Sequence, residues 1–142
     1  MNSTLRRYMA VDYGRKRIGL AISDTLGMLA TPAGFIARRE GKRPPIAEII
    51  RRATALEAEG YIFGLPLDGD GNETEWTAEV RAVGDEVARR TNLPVRYLDE
   101  RFTTAAALRT MRELGQSTRG RKGEVDALAA TILLQHALNV AD

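Results

Sequence analysis

The sequence predicts an α/β domain on a mixed five-stranded sheet, with an antiparallel three-strand meander plus two parallel strands and helices flanking the sheet. Three observations carry this prediction. Two short apolar runs near the amino terminus, Met9 to Val11 and Ile18 to Ile22, are separated by a hairpin-like connection that includes Gly14-Arg15-Lys16-Arg17. Beyond them, short apolar runs alternate with segments of helical period, and strands joined through helices pair in parallel. The chain has 142 residues, 44% of them apolar and 28% charged, enough to bury one core without a disulfide or structural metal. A single domain over residues 1–142 is expected.

The two apolar runs are strands one and two. A third extended segment covers roughly Ala30 to Arg38, where Pro32 and Gly34 point to an edge or bulged strand. After Pro44-Pro45, the residues Ile46, Ile49, Ile50, Ala53 and Leu56 share one helical face, and Gly60 stands where a helix end wants a left-handed residue. Tyr61 to Leu65 reads as a short buried strand, and Leu67 to Asn72 as a turn-rich loop. Trp76, Val80, Val83 and Val87 recur at helical spacing, which makes Trp76 a core anchor. Val95 to Leu98 is the fifth strand and runs straight into Asp99-Glu100-Arg101. Thr103 or Thr104 caps a helix carrying Leu108, Met111 and Leu114 and closed by Gly115. A polar stretch, Gln116 to Gly123, leads to a last helix from about Glu124 to Leu138, apolar nearly all round and therefore expected to be buried.

There is no cysteine, which excludes disulfides, thiolate zinc sites and cysteine nucleophiles. The one histidine, His136, lies in an apolar run and reads as a structural or helix-surface residue. No signal peptide is evident, and no apolar run approaches the ~20 residues that a bilayer requires, so a cytoplasmic protein without membrane contact is expected. Net charge is only +2. Basic residues nevertheless come in clusters, including Arg15-Lys16-Arg17, Arg38-Arg39, Lys42-Arg43 and Arg119 to Lys122, as on a basic face offset by an acidic site.

The chemistry lies with carboxylates stranded in apolar segments. Asp12 interrupts the first strand, Asp99 and Glu100 end the fifth, and Asp126 starts the last helix. Burying isolated carboxylates costs several kcal/mol unless something positive compensates them. With no evident buried Lys or Arg in those segments, a divalent cation is the natural partner, and Mg²⁺ or Mn²⁺ suits an all-oxygen donor set. Such metal ions would activate a water and stabilise the leaving oxygen of an in-line displacement at phosphorus. Strand alternation leaves open which of Asp99 and Glu100 faces the site. Gly14 and Gly19 would admit a close approach of backbone to phosphate. Asp68, Asp70, Asn72 and Glu79 match four positions of an EF-hand loop, but Glu73 stands where that loop needs glycine. The segment Asp68 to Gly71 is read instead as a tight turn at the mouth of the site. Neither a Walker A sequence nor a Gly-x-Ser-x-Gly elbow is present.

The segments Ala10-Val11-Asp12-Tyr13-Gly14, Arg17-Ile18-Gly19-Leu20-Ala21, Gly64-Leu65-Pro66-Leu67, Asp99-Glu100-Arg101-Phe102-Thr103-Thr104 and Lys122 to Ala127 together resemble the motif set of the YqgF/RuvX family. The resemblance runs in order along nearly the whole chain, with Asp68 where many members carry Asn. It implies an RNase H-like fold similar to RuvC-type Holliday junction resolvases, and a nuclease acting on pre-16S rRNA in ribosome biogenesis. It also implies Asp12, Glu100 and Asp126 as catalytic acids with Mg²⁺ or Mn²⁺ as cofactor, and Asp99 remains a further candidate ligand. Gly14, Arg15, Lys16, Arg101, Arg121 and Lys122 adjoin the acids in sequence and are the expected nucleic-acid contacts. RNA is favoured over DNA by the family description alone. A resolvase-like DNA nuclease and a non-catalytic factor that binds pre-rRNA are the alternatives, and either a monomer or a homodimer is compatible with the sequence. The Asp-x-Gly hairpin also resembles the phosphate-binding turn of actin-like ATPases and sugar kinases, which need a second lobe that this length does not supply.

Overall fold

The computed structural model describes residues 6–39, 41–101 and 122–140. Its elements are β1 (Tyr8–Tyr13), β2 (Arg17–Ser23), β3 (Ala30–Ala37), α1 (Ile46–Ala55), β4 (Gly60–Leu65), α2 (Glu75–Thr91), β5 (Val95–Asp99) and α3 (Lys122–Val140). The helix expected to be capped by Thr103 or Thr104 and closed by Gly115 lies outside the described residues. The five strands form one sheet in the order β3-β2-β1-β4-β5. β1 pairs antiparallel with β2 and β2 with β3, while β1–β4 and β4–β5 are parallel. This is the expected meander plus crossover arrangement.

The central strands are apolar along their length because both faces of the sheet are covered. On one face Val11, Leu20 and Phe63 pack with Ile49 of α1 and with Val80, Val83 and Val87 of α2. On the other, Ala10, Ala21 and Ile62 meet Ala130, Leu133, Leu134 and Ala137 of α3. Small side chains on this second face let α3 lie close against the sheet. Gln135 pins the helix to the β2–β3 turn, accepting from the Ala30 amide at 3.0 Å and donating to the Met28 carbonyl at 3.0 Å.

β3 is the edge strand that Pro32 demanded, and the β2–β3 register shifts between Gly19 and Ala21, where a proline without a backbone donor is tolerated. Two expectations are corrected. Gly60 does not end α1; Glu57, at φ 58°, takes the left-handed position, and Gly60 instead opens β4, where a side chain would collide with the ring of Tyr8. Nor is α3 buried all round: Glu124, Leu128, His136 and Asn139 are exposed, because the helix covers one face of the sheet and none of the described elements covers its outer side. Among the described residues no helix is long and apolar enough to cross a membrane.

Candidate active site

The parallel strands β1, β4 and β5 all end at the same edge of the sheet, and antiparallel β2 begins there. Residues far apart in sequence are thereby brought level. Asp12 pairs with Gly19 across β1–β2. On the other side the register Val11↔Phe63 puts Gly64 one step further on, level with Asp12. Strand alternation turns Ala10 and Asp12, Gly19 and Ala21, and Ile62 and Gly64 toward α3.

Two glycines on this face seat the other acids. A Cβ at Gly19 would overlap the backbone carbonyl of Asp126, so the first turns of α3 rest directly on β2. A Cβ at Gly64 would strike the carboxylate of Glu100 and the side chain of Leu133. Asp126 therefore lies over β2, Glu100 over β4, and Asp12 stands on β1 between them. With neighbouring strands ~4.8 Å apart, the row spans roughly 10 Å. All three are buried, at 2%, 1% and 0% exposure for Asp12, Glu100 and Asp126.

Alternation along β5 separates the Asp-Glu pair. Leu98 packs on the α3 side with Ile62, and Glu100, two residues on, returns to that side. Asp99 turns the other way. Its side chain is 39% exposed and grips Arg101, with Nη2 2.9 Å and Nε 3.1 Å from Oδ2. The Arg101 guanidinium, followed by the Arg101 backbone amide, holds the Asp99 carboxyl below its ordinary range. Arg101 is in turn packed on Gly71, above the turn in which Asp68 Oδ1 accepts from the amides of Asp70 and Asn72 at 2.9 and 2.8 Å. Asp68 is thus engaged with its own loop, as expected of a tight turn.

The expected nucleic-acid contacts are distributed around this edge. Gly14 is buried in the β1–β2 turn and its carbonyl accepts from Arg38 at 2.9 Å. Arg15 and Lys16 are exposed on the same turn. Arg101 is tied to Asp99. Lys122 opens α3; its side chain and Arg121 lie outside the described residues. Gly19 admits no phosphate, since Asp126 fills the space beside it.

Sequence reasoning missed Arg17. Its Nε donates to Asp126 Oδ2 at 2.7 Å, with the arginine side chain 19% and the aspartate 0% exposed. Arg17 stands in a basic run that reads as solvated. Its place as the first residue of β2, two before the glycine that seats Asp126, is the signal that could have revealed the pair. Removing one partner of a buried ion pair strands the other. Arg17→Met is therefore expected to lower the unfolding free energy by about 2 kcal/mol, less than for a wholly buried pair because water reaches the guanidinium. Arg51→Ala, which breaks an exposed pair with Glu48 on α1, should cost under ~0.5 kcal/mol. Urea unfolding of both variants checks the contrast; equal losses would mean that the Arg17 pair is no more than a surface contact.

The sequence profile of RuvX, described as "Holliday junction resolvase", matches residues 6–140. The chain belongs to the RuvX family. A Clavibacter michiganensis protein named "Putative pre-16S rRNA nuclease" is 38% identical over 130 residues, covering 92% of this chain and 81% of that protein. One of the same name from Anaeromyxobacter is 39% identical over 129 residues, covering 91% and 93%. Among solved structures, Thermus thermophilus RuvC in complex with a Holliday junction substrate superposes with a TM-score of 0.58 at 14% identity over 94% of each chain. Fowlpox virus resolvase with Holliday junction DNA gives 0.53 at 11% identity, covering 93% of this chain and 98% of that one. This likeness is one of fold, and the RuvX chain has the expected RNase H-like architecture.

Among the described residues, no group of three or more acidic or histidine side chains forms a ready-made metal cage. The acids form instead a row of buried carboxylates at this end of the sheet, oxygen groups of the kind that could hold a divalent ion, with Asp126 held by Arg17 at one end. Mg²⁺ is commonly bound in this manner, by one or two carboxylates completed by water and substrate phosphate.

Proposed function

We propose that this RuvX chain is a cytoplasmic, divalent-metal-dependent nuclease that hydrolyses phosphodiester bonds in RNA, with the 5′ region of pre-16S rRNA as its substrate. The observation that carries this reading is the row of three buried carboxylates, Asp12, Glu100 and Asp126, on one face of the sheet at one edge. The names of the relatives support the choice of RNA.

Three carboxylates in a water-poor setting repel one another and favour a cation among them. The donor set fits Mg²⁺ or Mn²⁺, with Asp12 and Glu100 as the principal ligands and Asp126 as the third. A bound ion there would supply Lewis acidity and a lowered pKa for attacking water. The chain's own contribution is orientation. Strand pairing fixes Asp12, the bare surface of Gly64 admits the Glu100 carboxylate, and Arg17 fixes the Asp126 side chain by its Oδ2. Asp99 has a different role in this reading: it holds Arg101 over the Asp68–Gly71 turn, where the guanidinium steers phosphate toward the edge. Arg15, Lys16, Arg121 and Lys122 supply sequence-independent attraction to the phosphate backbone.

A panel of labelled single-stranded RNA, single-stranded DNA and a four-way DNA junction, each with Mn²⁺, Mg²⁺ or EDTA, tests the proposal. Metal-dependent cleavage of the RNA, with the junction left intact, is the expected result. Preferential cutting of the junction would replace RNA processing with DNA resolution, the reading that the words "Holliday junction resolvase" in the matched profile favour. Binding of RNA without cleavage under any condition would leave a non-catalytic assembly factor.

A further inference from the structure

We propose that a cavity of about 290 Å³, lined by Arg15, Arg38, Gly41, Trp76 and Glu79, is a nucleotide subsite that takes one unpaired base and its phosphate from a single strand. The proposal rests on the nuclease reading and adds to it a site on the opposite face of the sheet from the acids. Tyr13 directly follows Asp12 but turns to the α1–α2 side, where it is buried. Trp76, in the first turn of α2, stacks on Tyr13 with centroids 5.6 Å apart and planes inclined by 30°. Arg38 lies 4.6 Å over the Tyr13 ring, donates to the Gly14 carbonyl at 2.9 Å and stands 3.6 Å from Glu79. The guanidinium of Arg15 lies 4.1 Å over the Trp76 ring.

Trp76 was expected to be a core anchor, and it is only half that. It packs against the core cluster but remains partly exposed, with a cation over its ring. Tyr13 and Arg38 form a fixed backing, since each is held by a further contact. Arg15 differs: it is exposed, and among the described residues it has no ion-pair partner. Tyr13 and the Arg15 guanidinium already cover the indole, so a nucleobase stacks on Trp76 by displacing the exposed Arg15 side chain, which exchanges its cation–π contact for the phosphate that arrives with the base. Arg39, Lys42 and Arg43 flank Gly41 and are exposed, adding positive charge to the rim. The volume lies at the small end of ligand pockets, which suits a single nucleotide. Only an unstacked base can lie on an indole, so a duplex is excluded from the cavity.

A strand crossing this edge would present a phosphate to the acids on one face and a neighbouring base to Trp76 on the other. Trp76 is the one tryptophan of the chain, so its emission reports the site directly. The experiment titrates the full chain, in EDTA, with oligonucleotides of about 12 residues, a length within known single-strand site sizes. Its arms are single-stranded RNA, single-stranded DNA and the RNA duplex. Saturable quenching by a single strand and none by the duplex is expected, and the RNA and DNA arms show which sugar is preferred. In anisotropy with labelled single strand, Arg15→Ala and Trp76→Leu should each weaken binding by about tenfold. Arg89→Ala, in an exposed pair with Glu86 on α2, should stay within twofold. Arg15 is exposed, so its variant keeps the test sound if Trp76→Leu fails to fold. Unquenched emission, with Arg15→Ala binding as wild type while Asp12-dependent cleavage persists, would overturn the subsite and leave the nuclease standing. Absence of nucleic-acid binding and cleavage by the wild-type chain would overturn both.

Discussion

Asp12→Asn is expected to reduce phosphodiester cleavage by on the order of 10³-fold while leaving the fold intact. Asp12 is the middle of the three buried acids, level with Gly19 on one side and Gly64 on the other, so any cation shared along the row must meet it. Losing a carboxylate ligand removes several kcal/mol of charge stabilisation where water is nucleophile and phosphorus is attacked, and each ~1.4 kcal/mol is a factor of ten in rate. Asn keeps the shape of Asp and takes one negative charge out of a crowded acidic row. Its unfolding free energy should therefore stay within about 1 kcal/mol of wild type. Single-turnover cleavage of labelled single-stranded RNA, with urea unfolding as the control, measures both effects. Asp99→Asn is the internal comparison: its side chain lies on the other face in the pair with Arg101, and a loss of less than tenfold is expected. Wild-type rates in Asp12→Asn, or undiminished cleavage in EDTA, would defeat the mechanism; a larger loss in Asp99→Asn than in Glu100→Gln would reverse the assignment within the pair.

Gly19→Ala should lower stability by about 3 kcal/mol or more, the largest effect expected of a single methyl group among the described residues. The added carbon would coincide with the backbone carbonyl of Asp126. Backbone against backbone offers no rotamer to relieve the overlap, so α3 would have to lift from β2. That movement would open the alanine-rich layer formed by Ala10, Ala21, Ala129 and Ala130 and carry Asp126 away from Arg17. Gly64→Ala is a contrasting case. There the added carbon meets side chains, Glu100 and Leu133, which can turn aside at a cost of about 1 kcal/mol. Its cleavage rate should fall much further than its stability, since the displaced group is the Glu100 carboxylate itself. Urea midpoints and cleavage rates of the two variants make the comparison. A Gly19→Ala protein as stable as wild type would show that α3 does not bear on β2 in this manner.

The row of acids was half visible in the sequence. Asp12 stands out because it interrupts an apolar strand, the Asp99-Glu100 pair because it ends one, and Asp126 because an apolar helix follows it. Hydrophobic period and turn residues act locally, so they also determine the order of the strands and helices, the hairpin at Gly14 and the edge character of the segment with Pro32. What they do not determine is which atoms meet across elements. Whether Asp99 or Glu100 faces the other acids depends on the β4–β5 register and on the bare surface of Gly64, neither of which is a local property. Arg17 looks solvated in a basic run and becomes the partner of a buried aspartate only because α3 crosses β2 at Gly19. Trp76 falls on a helical stripe like any core residue, and the guanidinium over its ring comes from a turn some sixty residues earlier in the chain. The sequence by itself thus determined the order of the described elements and the chemical kinds of group available. The tertiary structure alone decided which carboxylates share a face, which cation holds one of them, and which aromatic ring carries an exposed arginine, because those depend on close approaches between segments that no periodicity encodes.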